Sequence, residues 1–423
     1  MRRIAWVLLL AFTFTIPWEY SLVFPDPFGN IARIAGIAVL ATAIPGVLQS
    51  GRLRTPSPLL WLVLALFLWF CCSLFWTIEP SETLAHIRGY VQEMMIVWCV
   101  WELAESPDDF RGLLRAYVAG CWILALLTIA NFISPAANQV RFVPEGQDPN
   151  DVARFLDLAL PMAALLIVCE TRAVARLLAW AFMPIGLIAV TLTASRGGFV
   201  AAIAALAGCG ILLRRNYARA VWTAALAIPA FAVGLALPSE TLGRLATIPQ
   251  QLAGGDLNQR WSIWAAGWQA FVHSPFIGSG TGSFVSAAGL APVDTAHNTA
   301  IALLVEGGIV ALFLASLILA AAAFSVFRIQ GVVRVGLATA LVVWLLSSLV
   351  ASVQENRTTW LLFGLIALAG RLASESSDKQ PAQSQAKVPH PSGVLCRTGG
   401  NPQWLARPAF GNSAQEESAP SHS

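Results

Sequence analysis

Charge is what this 423-residue chain has least of: Asp, Glu, Lys and Arg make up 12% of it and hydrophobic residues 57%, against about 25% charged in an ordinary soluble domain. That scarcity excludes a large water-exposed surface, and lipid is the solvent the composition fits. A net charge of +3 is too small to imply a nucleic-acid partner. Cysteine is also sparse. The seven residues fall almost entirely inside apolar runs and lack metal-ligand spacing, which argues against a disulfide framework. No cluster of metal ligands stands out elsewhere, so neither a metal nor another cofactor is expected.

What the chain has in quantity is apolar stretches of the roughly 20 residues that cross a bilayer, such as PLLWLVLALFLWFCCSLFWT at 58–77. Such segments must be helices, because a spanning chain has to satisfy its own backbone hydrogen bonds. The sequence predicts an all-α, polytopic membrane protein with about twelve transmembrane helices, near 4–24, 31–47, 58–77, 87–104, 114–134, 153–170, 177–194, 198–213, 220–237, 299–325, 335–352 and 358–372. The amino terminus, MRRIAWVLLLAFTFT, has the look of a signal peptide. IPWEY follows where small residues should mark cleavage, so it reads as a retained first helix. Residues 1–372 form the membrane domain, and the Ser-, Pro- and Gln-rich tail 373–423 is expected to be disordered and cytoplasmic.

Orientation follows from arginine, because cytoplasmic loops are enriched in basic residues. One assignment gathers Arg2, Arg3, Arg52, Arg54, Arg111, Arg115, Arg172, Arg176, Arg214, Arg215, Arg219, Arg328, Arg334 and Arg371 on the cytoplasmic side. It leaves 135–152 and a large loop with short helices, 238–298, outside, with short turns at 195–197 and 353–357. Arg141, Arg154, Arg196, Arg244, Arg260 and Arg357 then fall outside against the rule.

Arg196 sits in SRGG, a tight external turn. Its guanidinium either grips a phosphate bidentately or snorkels to anchor a helix end. In NQRWSIWAAGWQAFVHSPFIGSGTGSF (258–284), Asn258 can cap a helix on which Trp261, Trp264, Trp268 and Phe271 form one stripe with Arg260 at its edge. That stripe suits either a helix lying in the headgroup layer or packing against the bundle. His273 reads as a helix-end residue, and GSGTG, with no strand before it, as a flexible turn. In VDTAHNTAIALLVEGG (293–308), His297 and Asn298 open the next span, and Asp294 is placed to orient the imidazole. Histidine is the side chain suited to moving a proton near neutral pH. Glu306 falls on the opposite face, where Gly307 and Gly308 permit close helix approach. Arg141 in RFVPEGQDPND and Arg357 in QENRTTW add positive charge or serve only the fold.

With SRGG, the RWSIW loop and AHNTAIALLVEGG in that order, the chain resembles the O-antigen ligase and polymerase superfamily, most strongly over 190–325, and FWTIEPSETL (75–84) is similar to a family pattern too. The resemblance implies a multi-pass inner-membrane glycosyltransferase that uses a polyprenyl-pyrophosphate-linked glycan and needs neither a nucleotide sugar nor a metal. It implies that Arg196 and Arg260 contact the pyrophosphate and that His297 is the essential loop histidine; Arg141, Asn298 and Arg357 are candidate substrate contacts from their place on the same side. The partners expected are a lipid-linked glycan donor, a glycan or lipid A core acceptor and the bilayer, with the active site facing the periplasm. Ligation of O-antigen to lipid A core is the leading activity. Glycan polymerisation and protein O-glycosylation stay open, and a lipid-glycan flippase is the alternative without chemistry, although a transporter should carry charge through the middle of its bundle.

Overall fold

The computed structural model describes residues 1–25, 29–51, 53–134, 139–214, 239–250, 260–291 and 295–378. In chain order its helices are α1 (Arg2–Thr15), α2 (Ile31–Ser50), α3 (Pro58–Cys72), α4 (Pro80–Leu103), α5 (Pro107–Ile133), α6 (Pro149–Cys169), α7 (Ala173–Leu192), α8 (Arg196–Leu213), α9 (Ser239–Ala246), α10 (Arg260–His273), α11 (Phe284–Ala287), α12 (Thr299–Arg328), α13 (Gly331–Ser348) and α14 (Arg357–Asp378). A two-stranded antiparallel ribbon, β1 (Val23–Phe24) with β2 (Gly29–Asn30), links α1 to α2.

Helix starts follow local chemistry. Ser57, Ser106 and Asp148 each precede a proline at the first helical position and accept a backbone N–H with the side chain, a combination whose cap alone contributes about 1 kcal/mol. Ser106 and Asp109 complete a reciprocal capping box. Helices stand at eleven of the twelve expected spans, and nine segments among the described residues are long and apolar enough to cross a membrane. The more polar α4 and α14 are the other two, and 220–237 lies outside the described residues, as do Asn258, Asp294 and the tail from 379. Cys71, Cys72, Cys99, Cys121 and Cys209 carry free thiols.

One helix serves as the axle. In α6, 94% of the apolar window is buried, and α5, α7, α8 and α13 pack around it. Contact between α8 and α13 is made backbone-close by Gly208, where a methyl group would stand 2.1 Å from Thr339 Oγ1 and 2.8 Å from its Cβ. Gly208→Ala is therefore expected to part the two helices at a cost of about 1–3 kcal/mol, typical of overpacking. A thermal melt in detergent that is unchanged or raised would contradict this.

Polar side chains gather at the two ends of the bundle. At one end Arg2 and Arg54 pair with Glu105, Arg111, Arg115 and Arg172 with Asp108, and Arg371 reaches the Ala104 carbonyl. The other end carries the Ser195 turn, α9, α10 and the starts of α6, α12 and α14.

The segment expected to be a flexible GSGTG turn is instead a buried plug. Thr281 and Ser283 are fully buried. The reason is a break in α12: Gly308 takes φ +65°, which frees carbonyls that a membrane-embedded helix cannot leave unpaired. Ser279 N–H donates to Val305 O at 2.8 Å and Gly280 N–H to Glu306 O at 2.9 Å, while Ile309 N–H returns to Pro275 O at 2.9 Å. Trp69 Nε1 donates to Gly307 O at 2.8 Å. Gly307 and Gly308 thus serve a helix interruption rather than only a helix–helix contact.

Helix α10 turns Ile263, Gly267 and Ala270 inward, onto Phe284, Ala296, Ala302 and Val305. Its aromatic stripe is split by that packing. Trp264 and Phe271 line the small core, whereas Trp261 and Trp268 are 59% and 54% exposed.

Candidate active site

The site is built outward from the turn between α7 and α8. Ser195 caps α8 by accepting from Gly198 N–H at 3.2 Å and donates to Asn150 Oδ1 at 2.9 Å, so the turn is tied to the first turn of α6. Ala194, just before it, has φ +50°, a left-handed conformation that costs a non-glycine residue about 1–2 kcal/mol and persists where the surroundings impose it. Arg141 imposes part of it, with Nε donating to Thr193 O at 3.1 Å and Nη2 to Asn150 Oδ1 at 3.0 Å. Helix α9 closes over the same turn. Arg244 Nε donates to Ala194 O at 3.2 Å, and Arg196 Nη1 to Thr247 Oγ1 at 3.1 Å.

Five guanidiniums come within electrostatic reach of one another here. Arg260 feels Arg196 and Asp148, Arg154 feels Asp148 and Arg260, and Arg141 feels Arg244, Asp148, Arg196 and Arg260. Arg154 also pairs with Asp151. Burial first, and then the neighbouring arginines, push the Arg141 guanidinium down to about 10 against the pull of Asp148. Burial and Arg196 lower Arg260 in the same sense. These groups stay protonated at neutral pH, so like charge accumulates that an incoming anion would relieve. Two aspartates among five arginines leave the region positive, and Asp148 is already engaged as the α6 cap.

His297 reaches this region through the chain's own contacts. Trp264, one turn beyond Arg260, donates from Nε1 to Ala296 O at 3.0 Å, which fixes α10 to the residue before His297. His297 is the second non-glycine residue with a left-handed backbone, φ +46°, and its ring lies 3.2 Å from Thr295 Oγ1. Asn298 Nδ2 donates to Leu349 O at 3.1 Å, and Thr299 Oγ1 to Ala351 O at 2.8 Å. Between those two carbonyls, Val350 Cγ2 lies 3.0 Å from where a side chain on Gly197 would begin. The tripeptide Leu349–Ala351 therefore abuts both the Arg196 turn and the His297 turn.

Of the residues singled out from sequence, Arg196, Arg260 and Arg141 share one electropositive site, and His297 stands on the loop beside it. Arg357 is placed otherwise. It is buried, in an ion pair with Glu19 and a 3.2 Å hydrogen bond to Gln92 Oε1. Asn298 spends its amide on the fold, with Oδ1 capping α12 by accepting from Ile301 N–H at 3.1 Å and Nδ2 held by Leu349. Sequence reading noted Arg154 and Arg244 as misplaced charges without giving them a role, and the fold brings both to the Arg141 and Arg260 guanidiniums. Their shared side of the membrane was the signal.

No curated protein matches the chain. Residues 181–316 match the family model described as O-Antigen ligase. That span holds Arg196, Arg244, Arg260, His297 and the break at Gly308, so over about a third of its length the chain is similar to the O-antigen ligase family, within a protein whose described residues include nine helices long and apolar enough to cross a membrane.

Proposed function

We propose that this protein transfers a glycan from a polyprenyl-pyrophosphate carrier to an acceptor hydroxyl on the periplasmic face of the inner membrane, with lipid A core as the acceptor. The observation that carries this reading is the crowding of Arg141, Arg154, Arg196, Arg244 and Arg260 around two aspartates at one end of the bundle. An external transferase takes its donor from a lipid, since nucleotide sugars are not found outside, and such a donor presents two phosphates at the interface. The acceptor oxygen attacks the anomeric carbon, the bond from that carbon to the phosphate oxygen breaks, and the departing pyrophosphate gains charge. Arg196 and Arg260 neutralise that charge from fixed positions, the electrostatic contribution that is commonly the largest in catalysis. His297 orients the acceptor hydroxyl and receives its proton. No step calls for a metal.

The test is transfer by purified protein in nanodiscs, supplied with undecaprenyl-pyrophosphate-linked O-antigen and lipid A core. A glycosylated lipid A core is the expected product. His297→Asn is the informative variant, because Asn tolerates the left-handed backbone while lacking the base. Transfer should fall by about 10²–10⁴-fold at an unchanged melting temperature. Movement of the lipid-linked glycan across the bilayer with no new glycosidic bond would overturn the reading in favour of a flippase.

A further inference from the structure

A second polar constellation occupies the same end of the bundle and takes no part in the phosphate site. Along α4, Glu82, His86, the neighbouring pair Gly89 and Tyr90, and Glu93 follow one another at helical spacing and so share a helix face, and Glu355 also lines it. They line a cleft of about 240 Å³. Exposure falls along the stripe, from Glu82 at the surface through half-buried His86 and Gly89 to buried Tyr90 and Glu93. Eleven residues of helix rise about 16 Å, so the open cleft runs along α4 from exposed Glu82 to buried Glu93.

At its deep end Glu93 is only 6% exposed, and its Oε2 finds no hydrogen-bond partner among the described residues. A buried carboxylate oxygen left so is costly and marks a place built to accept from something else. The surroundings specify what. His86 Nδ1 lies 3.4 Å from Glu355 Oε1, and Arg357 stands near Glu93, so part of the negative charge is already offset. What is left is a set of strong acceptors rather than a bare anionic hole. Among the described residues no group of three His, Cys, Asp or Glu is placed to hold a metal ion. Sugar hydroxyls, which both donate and accept, can satisfy such carboxyl oxygens by hydrogen bonding.

We propose that this cleft binds a sugar ring of the acceptor, with Glu82, Glu93 and Glu355 accepting from its hydroxyls. Saccharide binding stands on the cleft alone, and only its assignment to the acceptor rests on the transferase reading above. The location suits that assignment. Glu355 ends a short turn whose Val353 N–H donates to Thr299 Oγ1 at 3.0 Å, two residues after His297, so the start of α12 joins the two places.

Gly89 gives a clean test, because a Cβ built there meets nothing within 4 Å. Gly89→Leu fills the cleft without altering a charged group, and leucine suits a helix better than glycine. Full-length protein in nanodiscs would be titrated with delipidated, dephosphorylated core oligosaccharide and read by saturation-transfer difference NMR. Binding to the wild type is expected, with at least a tenfold weaker signal in Gly89→Leu and Glu93→Gln, while Arg196→Ala binds the saccharide as the wild type does. Affinity for undecaprenyl pyrophosphate should follow the reverse pattern, weakened in Arg196→Ala and intact in Gly89→Leu. No saccharide binding to the wild type, undiminished binding in Gly89→Leu, or equal loss of both ligands in that variant would each overturn the proposal. Saccharide binding that behaves as described in a protein without transfer activity would sink the transferase reading and leave the cleft's ligand standing.

Discussion

Arg196→Ala and Arg260→Ala are each expected to lower the turnover of glycan transfer by about 10²–10³-fold, equivalent to about 2.7–4 kcal/mol, on the scale of removing one donor from a site that stabilises developing negative charge. The loss should appear in kcat more than in KM, because the charge on the pyrophosphate grows as the glycosidic bond breaks and an interaction that strengthens along that path acts on the barrier. Neither change should unfold the protein. Arg196 reaches Thr247 Oγ1 at 3.1 Å from the end of a flexible side chain, and removing either guanidinium relieves the other arginines of repulsion. Lysine should restore only part of the rate, since it keeps the charge but lacks the planar fork that engages two phosphate oxygens at once. The double variant should lose less than the product of the single losses, because groups that act as one unit are not additive. Rates within threefold of wild type for both alanine variants, measured with saturating donor, would remove the diphosphate from this site.

Gly308→Val should have the largest effect on the fold. At φ +65° a β-branched residue pays the left-handed penalty of about 1–2 kcal/mol, and its Cβ would stand 2.2 Å from the Phe276 carbonyl oxygen. The backbone has to move to relieve that contact, and nothing nearby is a flexible side-chain end. Straightening α12 would restore its internal hydrogen bonds while stripping Ser279 and Gly280 of their acceptors and releasing the buried segment around Thr281. Loss of folded protein on size exclusion, or fast hydrogen exchange at Ser279 and Gly280 in whatever survives, is the expected result. A stable variant with native protection at those two amides would show that the break is not needed.

Much of the helical architecture was legible from hydropathy, because a bilayer reduces the choice to helices of a known length. Arg196, Arg260 and His297 were legible as charges or a titratable ring interrupting apolar context, where each must justify its desolvation. The largely buried GSGTG segment, 278–282, was not. Its glycines read as flexibility, yet the partners that immobilise them are the carbonyls of Val305 and Glu306, set free by a break that hydropathy does not register. The surroundings of Arg357 were hidden for a related reason: its partner Glu19 is 338 positions away. The cleft along α4 failed to stand out because Glu82, His86 and Glu93 alone make an ordinary polar helix face. Only Glu355, brought from the far end of the chain, turns that face into a cleft.

The position of the arginine cluster on the axle helix bears on how the site would respond to its ligand. Asn150 and Arg154 belong to the first two turns of α6, and that helix is walled in along nearly its whole length, so the dipoles and charges they carry cannot swing as water molecules do. When the diphosphate's charge redistributes, the surrounding field is already set in place, and little reorganisation energy is added to the barrier. Loosening α6 at a distance, by trimming Leu160 or Leu165 in its buried middle, would then slow the chemistry through the medium rather than through any group that touches the glycan.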